Sequence, residues 1–115
     1  MSVRRCYQGI IGFKAAEIRL RQNTKDLFYL TRESDTKKGK FILSWLSNKG
    51  IAKHTTVPNP SARLSYKNFE EAMPLIEKMI LSNDECVHPV PPLDRTLVVV
   101  KKEYTLSHQT YIDKF

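Results

Sequence analysis

The segment Leu27-Phe28-Tyr29-Leu30-Thr31-Arg32 constrains the fold of this chain more than any other stretch. In an extended strand successive side chains alternate faces. Phe28, Leu30 and Arg32 therefore share one face, and Leu27, Tyr29 and Thr31 share the other. Apolar groups on both faces imply a central strand covered on each side, so the Arg32 head lies within or beside the core. A guanidinium cannot shed its charge, and burying it without an anion is costly. No acidic residue precedes Arg32 in its own strand, and Glu33 points to the opposite face. Arg32 is thus either paired with a carboxylate elsewhere or available to an anionic ligand.

The next residues, Ser34-Asp35-Thr36-Lys37-Lys38-Gly39, combine hydroxyls, free backbone N–H groups and positive charge in a short turn. Such a turn can wrap an anion with N–H and O–H donors, while Arg32 offers a bidentate fork from below. Two readings fit these residues: an anion cradle, or a solvated hairpin turn beside a structurally paired arginine.

The remaining elements follow from periodicity. Gly12 to Gln22 reads as a helix with Phe13, Ala16 and Leu20 on one stripe and Glu17–Arg21 as a surface i,i+4 pair. Asn23 to Asp26 ends it. Lys40 to Leu46 alternates, with Ile42 and Ser44 on one face and Phe41, Leu43 and Trp45 on the other. Asn48-Lys49-Gly50 is a turn signal, and Ile51 to Val57 is the next strand, with Ala52, His54 and Thr56 on one face. Pro58 and Pro60 end the pairing. Asn68 to Leu81 carries Phe69, Ala72, Met73, Ile76, Met79 and Ile80 on one helical stripe. Asn68 with Glu71 forms a capping-box-like start, and Pro74 in the second turn removes a hydrogen bond and should kink the helix. The Met-bearing stripe reads as core. Val87 to Leu93 is Pro-rich and extended, and Leu97 to Val100 reads as a further strand. The architecture predicted is α+β: a central antiparallel sheet flanked by two helices.

With 115 residues the chain is one domain with a real core, and its 41% hydrophobic content is that of a globular protein. The formal charge of +7 calls for an anionic partner: a phosphopeptide, a nucleic acid or an acidic membrane surface. Cys6 and Cys86 make no disulfide framework, which points to a reducing compartment. No apolar run approaches transmembrane length and no signal-peptide core opens the chain, so a soluble, cytoplasmic protein is expected. Cys86-Val87-His88 is neither a nucleophile nor a zinc arrangement, and no Ser/His/Asp constellation is evident. Neither enzyme chemistry nor a metal or other cofactor is expected. A nucleic-acid binder would use the charge with Tyr66, Trp45 or Tyr104 as stacking platforms, yet the basic residues are spread along the chain and no nucleic-acid motif appears.

Tyr29 to Ser34, followed by Asp-Thr-Lys-Lys-Gly-Lys-Phe-Ile-Leu-Ser, closely resembles the signature of Src-homology-2 domains. That signature runs Phe-Leu-Val-Arg-Glu-Ser, a polar loop, Gly, then a strand ending Leu-Ser. Tyr7-Gln8-Gly9-Ile10-Ile11 resembles the opening motif of the family, Ala16-Glu17 its first-helix Ala-Glu, and Lys53-His54 its fourth-strand Lys-His. Phe69 opening a second helix and Cys86 after it also fit. The resemblance spans Cys6 to Val90 and leaves residues 93–115 as a C-terminal extension of a single domain; several ordered matches are far more specific than one.

The resemblance implies a phosphotyrosine-peptide binding module in signal transduction, with tyrosine-phosphorylated proteins or peptides as partners. By matching positions, Arg32 contacts the phosphate, Ser34 and Thr36 donate hydroxyls, and backbone N–H groups from Asp35 to Lys37 complete the cradle. His54 and Thr56 line the wall and Ile42 touches the phenyl ring. His54 also fits a structural role, bonded to neighbouring side chains. Phe13 stands where the family usually has a phosphate-binding arginine, and Lys14 beside it projects roughly 100° away around the helix. The family's opening Trp is Cys6 here, and a wall lysine common in one branch is Thr56. These changes leave an apolar pocket of Phe13, Ile42 and the Thr56 methyl. Only Pro58 to Lys67 separates the His-bearing strand from the second helix, and Asn83-Asp84-Glu85 follows it. That is little chain for a second pocket, so weak selectivity C-terminal to the phosphotyrosine is expected. Abbreviated domains of this kind occur in divergent members, including some resembling those of bacterial effectors that act in the host cytoplasm.

Overall fold

The computed structural model describes residues 3–22, 27–61 and 65–92. The expected linker at Asn23–Asp26, the strand at Leu97–Val100, Tyr104 and the extension from residue 93 lie outside them. The described elements are a 3-10 turn (Val3–Cys6), β1 (Tyr7–Ile10), α1 (Phe13–Arg21), β2 (Phe28–Glu33), β3 (Phe41–Leu46), β4 (Ala52–Thr56), α2 (Phe69–Leu81) and β5 (His88–Pro89). The sheet order is β1-β2-β3-β4, with β5 also on β2. No helix among the described residues is long and apolar enough to cross a membrane.

The antiparallel centre follows the predicted alternation of faces. Leu30 pairs with Ser44 and Arg32 with Ile42 across β2–β3, while Ser44 pairs with His54 and Ile42 with Thr56 across β3–β4. The period of two brings Arg32, Ser44, Ile42, His54 and Thr56 to the α1 face. Two elements were too short to show a period. β1 joins β2 in parallel at Tyr7↔Thr31 and Ile10↔Glu33. β5 joins it in parallel at Phe28↔His88. The carbonyls of Val90 and Pro91 then accept from the Gln8 amide at 3.0 and 3.2 Å, and Arg19 donates to the other end of Gln8 at 2.8 Å.

Each face of the sheet has its own core. Tyr29, Phe41 and Leu43 pack with Val3, Cys6, Val57, Phe69, Ala72, Ile76 and Ile80 on the α2 side. On the α1 side Leu30 and Leu46 meet Ala16, Leu20 and Val90. The second helix runs unbroken across Pro74. Asn68 accepts from the Glu71 amide at 3.0 Å, while the Glu71 carboxylate takes the Lys67 amide at 3.2 Å, one residue further back than a capping box requires. Phe13 departs from its predicted stripe. Phe13 opens α1 beside a cavity shared with Arg32, Ile42 and Thr56, which leaves it 54% exposed while Ala16 and Leu20 are buried. Glu17 and Arg21 do not pair either: Arg21 donates to the Gly50 carbonyl at 2.9 Å and Glu17 turns inward to His54.

Burial raises several ionisable groups of the larger core. Desolvation, with the neighbouring Cys6 and Glu85, pushes Cys86 from 9.0 to about 12. Desolvation and the two thiols push Tyr29 from 10.0 to about 12. A folded chain whose thiol is harder to ionise keeps a proton that the unfolded chain releases, so stability falls as pH rises through this window. Thermal melts should show a Tm that drops between pH 8 and pH 11 and recovers when the pH is lowered again. A flat profile would mean that both groups ionise in the native core.

Candidate functional site

A cavity of about 420 Å³ opens where α1, the loop after β2, and strands β3 and β4 converge. Phe13, Arg32, Ser34, Asp35, Thr36, Lys37, Ile42 and Thr56 line it, together with Lys40. Of the site residues named from sequence, His54 alone is outside the lining. Lys40 was missed, although it precedes Ile42 by two residues on the same strand face, which is a readable signal.

Arg32 is 4% exposed and forms no ion pair among the described residues. Its partners are neutral or aromatic. Nε donates to Ser44 Oγ at 3.2 Å, Nη1 to the Ile11 carbonyl at 3.0 Å, and Nη2 approaches His54 Nδ1 at 3.4 Å. The parallel pairing of β1 explains the second contact, because Ile11 continues that strand past Glu33 and its amide bonds the Glu33 carbonyl at 3.2 Å. A guanidinium has five N–H donors. Three are engaged here, which leaves one on each terminal nitrogen. Burial lowers the pKa of Arg32, and the charges of Asp35 and Glu17 oppose that shift; the group stays protonated.

His54 sits behind the arginine. Its Nδ1 is 2.7 Å from Ser44 Oγ and its Nε2 is 2.9 Å from Glu17 Oε2. With the proton on Nε2, Ser44 accepts from Arg32 Nε, the ring donates to Glu17, and the one Nδ1 lone pair is shared between Ser44 Oγ and Arg32 Nη2. The Ser–His–Glu order resembles a nucleophile relay, but Ser44 is 0% exposed and its oxygen is held by Arg32. No substrate can reach it. Phe13 meets the His54 ring edge-on, with centroids 6.2 Å apart.

The loop is tied to itself. Ser34 Oγ accepts from the Thr36 and Lys37 amides, both at 3.1 Å, and lies 3.1 Å from Thr36 Oγ1. Two of the N–H groups expected to face an anion therefore close on Ser34, the nearest acceptor to otherwise orphaned loop donors. The Ser34 amide bonds the Lys40 carbonyl at 2.8 Å and Glu33 accepts from the Gly39 amide at 2.8 Å. Gly39 has φ of +81°, and a Cβ there would come within 2.5 Å of the Tyr66 carbonyl; only glycine fits. On the α2 side of β4 an open cleft of about 490 Å³ is lined by Leu43, Trp45, Thr55, Met79 and the Ser82–Glu85 segment. Trp45 Nε1 and the Asn48 amide bond Glu85 at 3.0 and 3.1 Å and hold its carboxyl below the usual range.

The model of the SH2 domain family matches residues 7–80. The chain belongs to that family, whose members are phosphotyrosine-peptide binding modules. Ras GTPase-activating protein 1 from Rattus norvegicus, Bos taurus and Homo sapiens is 46% identical over 48 residues in each case. That match covers 42% of this chain and 5% of the relative's length. Among solved structures, the SH2 domain of a Monosiga brevicollis CRK/CRKL homolog superposes with a TM-score of 0.49 at 16% identity, covering 76% of this chain and 84% of that one. An inactive choanoflagellate E3 ubiquitin ligase Cbl TKB gives 0.46 at 17% identity, over 96% of this chain and 32% of that one.

Because Phe13 is exposed, its replacement tests whether it belongs to the cavity or the core. Phe13→Arg should change stability by no more than about 0.5 kcal/mol, as a surface substitution does, read by urea unfolding. A loss of several kcal/mol would return Phe13 to the core.

Proposed function

We propose that this chain binds phosphotyrosine peptides through the cavity over Arg32. One observation carries the reading: a buried guanidinium held by neutral groups, with one N–H unengaged on each terminal nitrogen. A phosphate carries about −1.5 to −2 charges and takes such a pair end-on. Ser34 and Thr36 contribute hydroxyls, and Lys37 and Lys40 add charge at the rim. The amides of Asp35, Thr36 and Lys37 join once the phosphate replaces Ser34 Oγ as acceptor. Phe13, Ile42 and the Thr56 methyl enclose the ring. Glu17 and His54 act through Arg32, fixing its orientation. A rigid tyrosyl ring spans the depth to Arg32, whereas phosphoserine stops short of it.

The test is a titration of the whole chain with one peptide in three forms: phosphotyrosine, tyrosine and phosphoserine. Only the first should bind measurably. Arg32→Lys should weaken it by about 2–5 kcal/mol with the fold intact, because an ammonium cannot reproduce the planar fork. Equal affinity for all three forms, or undiminished binding by a folded Arg32→Lys chain, overturns the reading. Tight, steeply salt-dependent oligonucleotide binding would point to nucleic acid instead.

Selectivity beyond the phosphotyrosine is weak on this reading. The α2-side cleft is open, and part of its polar rim, Glu85, is already bonded to Trp45 and Asn48. A degenerate phosphopeptide library should return a shallow preference at the third residue after the phosphotyrosine. Strong enrichment of one residue type there would show that the cleft closes on its ligand.

A further inference from the structure

A second cavity, of about 550 Å³, adjoins the first, and Lys37, Lys40 and Thr56 line both. Lys38 lines the second one only. Three lysines thus border one cleft, and among the described residues no carboxylate lines it and none of the three forms an ion pair. Like charges gathered in one concavity repel each other and raise the local potential for an anion. The floor is apolar, from Val57, Pro58 and Tyr66.

Hydrogen bonds set the shape of this cleft. The Tyr66 amide donates to the Gly39 carbonyl at 2.9 Å, and the Val57 amide to the Phe41 carbonyl at 2.8 Å. The Tyr66 hydroxyl donates to the Pro58 carbonyl. The lysine loop is therefore fastened to the segment after β4 at both sides of the cavity. A walled concavity with an apolar floor suits a side chain with an anionic end and an alkyl or aryl stem. It does not suit a flat bilayer surface.

We propose that this lysine cleft takes a second anionic group of the same phosphopeptide, a phosphate or a carboxylate close in sequence to the phosphotyrosine. The inference rests on Arg32 binding the phosphotyrosine. It adds a substrate class: ligands that carry two anionic groups, one in each of two cavities sharing a lysine wall. Lys37 and Lys40 stand between the two anions and attract both.

The experiment measures fluorescence anisotropy of the whole chain with a set of labelled peptides. One carries phosphotyrosine alone; the others add a single phosphoserine or glutamate at each of about three positions on either side. At one or more positions the second anion should tighten binding by about tenfold at low salt, with the gain shrinking as salt rises. Lys38→Ala should cut that gain to below about threefold and leave affinity for the singly phosphorylated peptide unchanged. Its melting curve checks that the fold is retained. No gain at any position, or the same gain in Lys38→Ala, overturns the proposal. Phosphatidylcholine vesicles with and without a phosphoinositide form the second arm. Vesicle binding that Lys38→Ala abolishes, in the absence of a peptide gain, assigns the cleft to a membrane surface and overturns the proposal. Failure of the singly phosphorylated peptide to bind defeats the reading of Arg32 itself, and this one with it.

Discussion

A single buried charge organises the α1 side of the sheet. Taking a guanidinium out of water costs several kcal/mol even after relaxation. Hydrogen bonds from a charged group contribute roughly 1.5–3 kcal/mol each, so neutral partners can hold Arg32 without neutralising it. Each partner comes from a different element: Ile11 after β1, Ser44 on β3, and His54 on β4. Glu17 on α1 then holds His54 from behind. The parallel strand, the antiparallel pair and the first helix all have to assemble before the arginine is satisfied. Its position is therefore a report on the whole fold.

Phe13, the first residue of α1, brings an aromatic side chain rather than a charge to the cavity. On the proposed function, phosphate contact falls to Arg32 and to the lysines of the loop, while the helix supplies an aromatic face that meets His54 edge-on. Asp35, whose carboxylate lies against Gly12 at the start of α1, is the one carboxylate in the lining among the described residues. A lone acid beside a buried cation and two lysines leaves the cavity electropositive. The loop itself is preformed by Ser34 and by Gly39, whose left-handed backbone lets Tyr66 approach without a side chain in the way.

Much of this arrangement was legible in the chain. The two-sided strand Phe28–Glu33 announced a buried Arg32, and alternation in Phe41–Leu46 and Ala52–Thr56 gave the faces on which Ile42, Ser44, His54 and Thr56 lie. The stripe of α2 was equally plain. What escaped was tertiary. Glu17 sits four residues before Arg21 and reads as a surface pair, yet a half-buried imidazole outcompetes a solvated guanidinium as its partner. Phe13 lies on the same helical stripe as Ala16 and Leu20, but it borders the open cavity over Arg32 and Ile42 instead of packed side chains. β1 and β5, at four and two residues, are too short for any period to register. The Ser34 hydroxyl as internal acceptor is a matter of loop geometry that no spacing encodes.

The two cores are unequal. Among the described residues, twelve buried ones form the cluster on the α2 side and five the one beneath α1. Cooperative opening follows the number of buried apolar contacts that must be broken. The layer that carries the cavity over Arg32 is the lightly anchored one, and α1 contributes only Ala16 and Leu20 to its core. Amide protons of α1 should then exchange with solvent by a local route while those of α2 wait for global unfolding. A ligand that bridges Arg32 and the first turn of α1 would close that route. Occupancy of the cavity and order of the helix become one thermodynamic quantity, so on the proposed function the peptide acts as a missing piece of the smaller core.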